Sequence, residues 1–533
     1  MSARLAFVDD PARLAEVPDG FDVVAVEPAV ALAAPGATPL DAELDDLELE
    51  ALGEETYALA ERIGDALGPT GAWRLPELKA LVDGLLAHAL GARRLVEATG
   101  AAETRLLLRR GSLAEAALVS VLGGPPHDAP PSPAPPPAGG RLAATALGLR
   151  RRLRRRRPRV LLLDERYNLP PIAAALRERG ADVLLWLPPP ARPAPPRPLS
   201  VPPELLRAGG LDLWAAAEPF LRRLAADAVP RDEAALRAAE AAIRRDRPDA
   251  LLASTYAAPA AKAAAVAARA AGVPSFVSRH GEQGIRALPV MRLNDLDVVE
   301  HALCWGEWEA AFVARHAPRP VATTVVGAPM IDDVAARAPG RDEIRRELGL
   351  GGGERVALLV PTALSGEDWY AGRRLPPDLA YVRHQLVLVE QLLSVPGLRV
   401  VVREHASGEG PLETWARSSG APLTFVRERP FAELVHLADA LVLDFPSTTL
   451  VQALCGSSRL YVVRHPVTAW EPGVLEHLER HGVRIVDPDA LADAVAADPA
   501  GPVRHPRAAL ELLAASGPGT AAERAADALL ALL

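Results

Sequence analysis

The sequence predicts an α/β protein with two tandem Rossmann-like parallel-sheet domains, preceded by a smaller, mostly helical α/β domain. Three observations carry that expectation. From residue 159 onward, short β-branched or leucine-rich runs alternate with amphipathic helical patterns, which is how parallel strands joined by crossover helices read. The same grammar begins again near residue 336. A proline-dominated stretch at 125–140 separates both blocks from an N-terminal segment with apolar runs of its own. Proline fixes φ and removes amide donors, so that stretch favours extended linker conformations. With 533 residues and roughly 150 per domain, three or four domains fit. The expected divisions are 1–124, 125–157 (linker and arginine-rich segment), 158–335 and 336–533.

In chain order, 5–8 and 21–26 read as strands, and the acidic cluster 41–50, whose carboxylates alternate with leucines, reads as the solvated face of a helix. In the first block the strand candidates are 160–163, 182–187, 250–253, 275–277, 301–305 and 323–326. Residues 232–245 and 258–271 are helix candidates between them, the second followed by Gly272 as a stop. In the second block the strands are 355–360, 398–403, 423–426, 440–443 and 460–463. Ligands of open parallel sheets bind beyond the carboxyl ends of the strands, and two such sheets facing each other leave a cleft between those ends.

Composition narrows the function classes. The formal net charge of -9, from 68 acidic and 59 basic residues, argues against a nucleic-acid-coating role. Only Lys79 and Lys262 are lysines, and the arginine, alanine and proline bias suits a GC-rich coding sequence. Cys304 and Cys455 sit in apolar segments and read as reduced thiols, without a disulfide framework or cysteine zinc cluster. The N-terminus lacks the pattern of a secretory signal, and no apolar run reaches the ~20 residues that span a bilayer. The segment RLAATALGLRRRLRRRRPR at 141–159 suits either a solvated linker end or peripheral contact with an anionic membrane. The expected location is cytoplasmic, at the inner face of the cell membrane where such contact is made.

The candidate chemistry lies just after the strands. Within ALVLDFPSTTLVQALCG at 440–456, Ser447, Thr448 and Thr449 would occupy a helix N-terminus, where unpaired amides and hydroxyls favour a phosphate; ordinary serine capping is the competing reading. Arg403 and His405 emerge from the strand ending VVREH and can donate to phosphate oxygens. In SFVSRHGEQGI, His280 is the general-base candidate and Glu282 the runner-up, with Arg279, Gly281 and Gly284 shaping the cleft. Thr362 follows a strand of the second block, and Gly327 and Pro329 sit at the crossover between blocks. Asp295 and Asp297 read as surface carboxylates, and no metal site is expected; Walker, HExxH and nucleophile-elbow motifs are missing.

The motifs RHGEQG, CWGEWE, VVGAPMID, VVREH and DFPSTTLVQAL, in this order over about residues 158 to 533, resemble the GT-B-fold transferases that build bacterial surface and capsule polysaccharides, including the CDP-glycerol glycerophosphotransferase-like family. The resemblance implies a nucleotide-activated donor, CDP- or CMP-linked donors among the candidates, held by the C-terminal block. It further implies a saccharide or lipid-linked acceptor near the preceding block and no obligatory cofactor; no nucleic-acid partner is expected, on the net charge. By the same resemblance His280 corresponds to the base histidine of the family's His-Gly motif, His405 to the histidine of its basic-x-His-Pro motif, and Ser447 with Thr448 to the hydroxyl pair on donor phosphate. Ala406 stands where the family usually has proline, and Arg403 where lysine is common. The expected function is transfer of a glycosyl or polyol-phosphate group to a hydroxyl in surface polysaccharide synthesis. The alternatives are a sugar-nucleotide epimerase or hydrolase of the same fold, and a non-catalytic GT-B-like binding or scaffold protein.

Overall fold

The computed structural model describes residues 3–533 apart from 35, 45, 69, 124–156, 187–196, 280, 282–284, 286–294, 337–340, 352, 363, 365–377, 405–409, 465–469, 516 and 518. The expected proline-rich linker and nearly all of the arginine-rich segment lie outside the described residues.

Three parallel sheets follow one another. The first contains β1 (Arg4–Val8), β2 (Asp22–Ala25), β3 (Thr38–Pro39) and β4 (Glu103–Leu107), in the order β3-β2-β1-β4. The second contains β5 (Arg159–Leu162), β6 (Asp182–Leu185), β9 (Ala250–Ala253), β10 (Ser275–Val277), β11 (His301–Cys304) and β12 (Ala322–Val325), while β7 (Arg207–Ala208) and β8 (Leu211–Asp212) form a separate antiparallel hairpin. Its order is β12-β11-β10-β9-β5-β6. The third contains β13 (Arg355–Val360), β14 (Leu398–Val402), β15 (Leu423–Phe425), β16 (Ala440–Leu443), β17 (Arg459–Val463) and β18 (Arg484–Val486), in the order β15-β14-β13-β16-β17-β18. Two tandem six-stranded Rossmann-like sheets thus make up the GT-B-like part of the chain. Central strands such as β9 and β16 are buried at every position, as strands covered on both faces must be.

The N-terminal sheet is larger than the two expected strands. Helices Asp46–Ala66, Leu75–Thr99 and Leu113–Leu122 cover it. The chain between β6 and the Val229–Asp246 helix also packs there: Val201, Leu206, Leu213, Phe220 and Leu221 share a core with Phe7, Val24, Leu81 and Leu85. Of the acidic run 41–50, Asp41 departs from the expected solvated helix face. It precedes the helix, is buried, and pairs with Arg383 of the third unit.

The last helix, Ala521–Ala531, returns to the second unit, where Ala522, Ala525, Ala526 and Leu529 pack with Ile172, Leu176 and Val160. Both lysines are buried in ion pairs, Lys79 with Asp83 and Lys262 with Asp297 at 2.7 Å. Cys304 is buried and Cys455 half-buried, both as free thiols. Among the described residues no helix is long and apolar enough to cross a membrane.

Candidate functional site

In each six-stranded sheet the strand order reverses at one place. The third sheet starts at β13, grows outward through β14 and β15, then resumes on the other side with β16. The crevice beyond the carboxyl ends of β13 and β16 is therefore the topological switch point, where open sheets bind ligands. Thr362 follows β13 on one side of it, and Asp444 to Thr449 follow β16 on the other. Gln385, on the helix Asp378–Leu393, ties the two sides together. Its side-chain amide donates to the Thr362 carbonyl at 2.9 Å and to the Asp444 carboxylate at 3.2 Å.

Ser447 occupies the N-cap position of the Thr448–Leu454 helix, but its side chain makes no capping hydrogen bond. Its carbonyl instead accepts the Leu450 amide at 2.9 Å. Ser447, Thr448 and Thr449 are all half-buried, and the first turn carries no acidic residue. Hydroxyls and amide dipoles concentrate here without a competing carboxylate on that turn.

Arg403 leaves β14 with one guanidinium nitrogen donating to the Glu404 carbonyl at 2.6 Å, while its buried Nε has no hydrogen-bond partner. Burial and then the neighbouring Arg427 push its pKa down. An anion against the guanidinium would oppose both effects by favouring the charged form. The adjacent Glu404 faces away into the fold: it accepts the Leu412 amide at 3.0 Å, anchoring the Pro411–Ser419 helix, and pairs with Arg427 at 3.3 Å. Burial raises its pKa. His405 lies outside the described residues.

On the second sheet, Arg279 follows β10 and is 1% exposed. Its side chain is an internal tether rather than part of a cleft wall. The guanidinium lies 3.3 Å from the Glu309 carboxylate and 3.5 Å from that of Asp295. Glu309 also accepts the Trp305 amide at 2.5 Å, and burial raises its pKa. The Arg279 carbonyl accepts from the Asn168 side chain at 2.7 Å and from the Trp305 indole at 3.2 Å. Asp295, expected at the surface, is buried; it accepts the Tyr256 amide at 2.6 Å and the Thr255 hydroxyl at 2.9 Å. Its partners after β9 and after β10 explain why a carboxylate is stable there. Asp297 holds Lys262.

Gly281 is buried beside the other sheet's helix: a β-carbon built on it would stand 2.8 Å from the Thr448 hydroxyl oxygen. Gly281 and the hydroxyl-rich helix start therefore meet directly. His280, Glu282 and Gly284 lie outside the described residues.

Gly327 and Pro329 lie at the junction with the C-terminal segment. Gly327 has φ +84, and an added β-carbon would come within 2.6 Å of both the Ala515 carbonyl and the Arg524 side chain. Only glycine fits that combination of backbone and space. Pro329 opens the buried start of the Pro329–Ala336 helix, whose Met330 amide donates to Asn168 at 3.3 Å. Among the described residues no group of three or more His, Cys, Asp or Glu is arranged to hold a metal ion.

Gln385, Asn168, Glu309 and Glu404 were not singled out from the sequence. A signal existed for Gln385: it is the polar member of an otherwise apolar helical stripe through Tyr381, Val382, Leu388, Val389 and Leu392.

No protein-family model and no curated protein sequence matches this chain. Solved structures similar to it include the Methanocaldococcus jannaschii UDP-GlcNAc 2-epimerase in complex with UDP-GlcNAc and UDP, at 11% identity over 70% of this chain and 100% of that one, TM-score 0.45. Another is Anabaena Alr3699/HepE in complex with UDP-glucose, at 12% identity over 70% and 100%, TM-score 0.40. A third is the S. aureus MnaA–UDP co-structure, at 11% identity over 70% and 98%, TM-score 0.44.

Proposed function

We propose that this protein is a transferase that moves a glycosyl or polyol-phosphate group from a nucleotide-activated donor to a hydroxyl acceptor. The observation that carries the reading is the approach of Gly281 to Thr448, because it joins the RHG loop to the hydroxyl-rich helix start at the switch point of the third sheet. A donor phosphate at that start would be met by Ser447, Thr448 and Thr449, with Thr362 across the crevice and Arg403 and His405 from β14. His280 stands between Arg279 and Gly281 in the chain and takes the acceptor's hydroxyl proton, with Glu282 as its alternate. The acceptor oxygen then bonds to the donor's sugar carbon or phosphorus, and the nucleotide leaves with the electron pair of the broken bond, its charge met by the phosphate-binding groups. The chain's part in surface polysaccharide synthesis and its contact with an anionic membrane belong to the same proposal.

Calorimetry with CMP, CDP, UDP and GDP tests the donor half. One of them is expected to bind, and Arg403→Ala to weaken it by roughly tenfold to a hundredfold, the loss expected for a charge-assisted phosphate contact. Failure of all four to bind removes the reading in favour of a scaffold. Product analysis with donor alone separates transfer from the epimerase or hydrolase reading: slow hydrolysis supports transfer, and rapid epimerisation or hydrolysis overturns it.

A further inference from the structure

The second sheet has its own switch point, between β5 and β9. The loop leaving β5 there, Asp164 to Asn168, is clamped along its length. Asp164 accepts the Ser254 amide at 3.0 Å and its hydroxyl at 2.9 Å, which closes the β9 side. The Arg166 amide returns to Asp164 at 3.0 Å, and the Leu169 amide closes a turn onto the Arg166 carbonyl at 3.1 Å. Asn168 is fully buried and bonded to Arg279 and Met330, and Leu169 is in the core.

Between these fixed points Tyr167 has φ 54, followed by Asn168 at φ −78 and ψ −15. A turn position with positive φ belongs by preference to glycine, and a bulky residue there is strained. Among the described residues one other non-glycine residue has positive φ, Arg247, which closes a helix as a left-handed cap. Tyr167 precedes a helix and closes none. It is 54% exposed, the highest value among the exposed large hydrophobic residues described, and Glu165 and Arg166 beside it are exposed as well. Strain retained on a rigidly held loop at a ligand crevice is the pattern of a functional position.

We propose that Tyr167 is the platform on which a pyranose ring of a saccharide acceptor rests. An aromatic face carries no charge with which to grip a phosphate, but it covers the apolar C–H face of a sugar while ring-edge hydroxyls reach polar side chains. Glu165 and Arg166 supply an acceptor and donors on the same loop. Asn168 links this loop to the Arg279 carbonyl, so a ring seated on Tyr167 is carried by a loop tied to the segment that follows β10. The inference deepens the transferase reading and rests on it for the word acceptor; the contact between ring and sugar is tested separately.

Saturation-transfer NMR on the full chain with methyl β-D-glucopyranoside, methyl α-D-mannopyranoside and glycerol 3-phosphate as probes tests the proposal, using Tyr167→Phe, Tyr167→Ala and Tyr167→Gly. At least one methyl pyranoside is expected to receive saturation on its ring protons with the native chain and with Tyr167→Phe. Its affinity should fall by roughly threefold to tenfold in Tyr167→Ala and Tyr167→Gly, the loss expected for one aromatic face. No pyranoside signal with the native chain, unchanged affinity in the glycine variant, or saturation of glycerol 3-phosphate alone would each overturn the assignment. Nucleotide calorimetry on the same variants keeps the two readings apart. Its failure with the native chain removes the transferase and leaves a saccharide-binding tyrosine, whereas unchanged nucleotide binding with unchanged sugar affinity removes the tyrosine alone.

Discussion

Gly281 and Thr448 meet across the boundary between the two large sheets, so closely that a β-carbon on the glycine would lie 2.8 Å from the threonine hydroxyl oxygen. Real β-carbons essentially never approach an atom that closely, so a side chain at 281 would force either the Thr448 hydroxyl or one of the two elements to shift.

Gly281→Ala is therefore expected to displace the Thr448 hydroxyl or the loop that carries residue 281 and, at the proposed reacting centre, to lower kcat/KM at least about tenfold, since a small displacement there is costly. Thr448→Ala removes the atom that the new methyl group meets. The double variant should regain part of the loss in steady-state kinetics if the contact is the cause. Strictly additive losses would show that the two positions act independently.

Gln385→Met keeps the side chain's volume and removes both of its hydrogen bonds. The Thr362 carbonyl and the Asp444 carboxylate each lose a donor in a buried setting, which costs about 1–3 kcal/mol of stability. Urea unfolding measures that cost, and nucleotide calorimetry should show weaker binding, because Gln385 sets the distance between the two sides of the crevice. Unaltered affinity in a destabilised variant would confine Gln385 to the fold.

Arg279 serves two buried carboxylates, so Arg279→Met leaves both Glu309 and Asp295 without their cation. Breaking a buried pair in this way costs about 3–5 kcal/mol. Glu309→Gln removes one charge, retains an oxygen for the Trp305 amide, and should cost less. Denaturant midpoints of the two variants settle the order, and the reverse order would refute the tether role of Arg279.

His384 titrates far from its usual range, because burial lowers its pKa to about 4. The unfolded chain, with an ordinary value near 6.5, takes up this proton first. Stability from this residue is fully present above about pH 6.5, falls as the pH drops, and is lost by about pH 4, amounting to up to about 3 kcal/mol. His384→Gln should flatten that part of the stability–pH profile from urea titrations between those limits. A profile as steep as that of the native chain would mean that other groups cause the acid limb.

Much of the fold was legible because central strands of parallel sheets are apolar along their whole length. The runs at 250–253, 275–277, 355–360 and 440–443 coincide with β9, β10, β13 and β16. The strands not anticipated within the sheets, β3, β4 and β18, all lie at sheet edges. Edge strands are half-covered and short, so their sequences, such as ETRLL in β4, mix charge with apolar residues and lack that signature. The hydroxyl run at 447–449 was legible as a helix start for the same local reason, a strand and a proline before it and an apolar helix after it.

Local pattern by itself determined which apolar segments become central strands, where the hydroxyl-rich helix start falls and that two open sheets follow one another, since these depend on neighbours a few residues away. Tertiary structure alone decided that Arg279 turns inward to Asp295 and Glu309, that Gln385 spans the crevice, and that Gly281 rests against Thr448. Each of those contacts joins residues that are distant in sequence or on separate elements, and a partner brought close only by packing leaves no trace in the spacing of either chain segment.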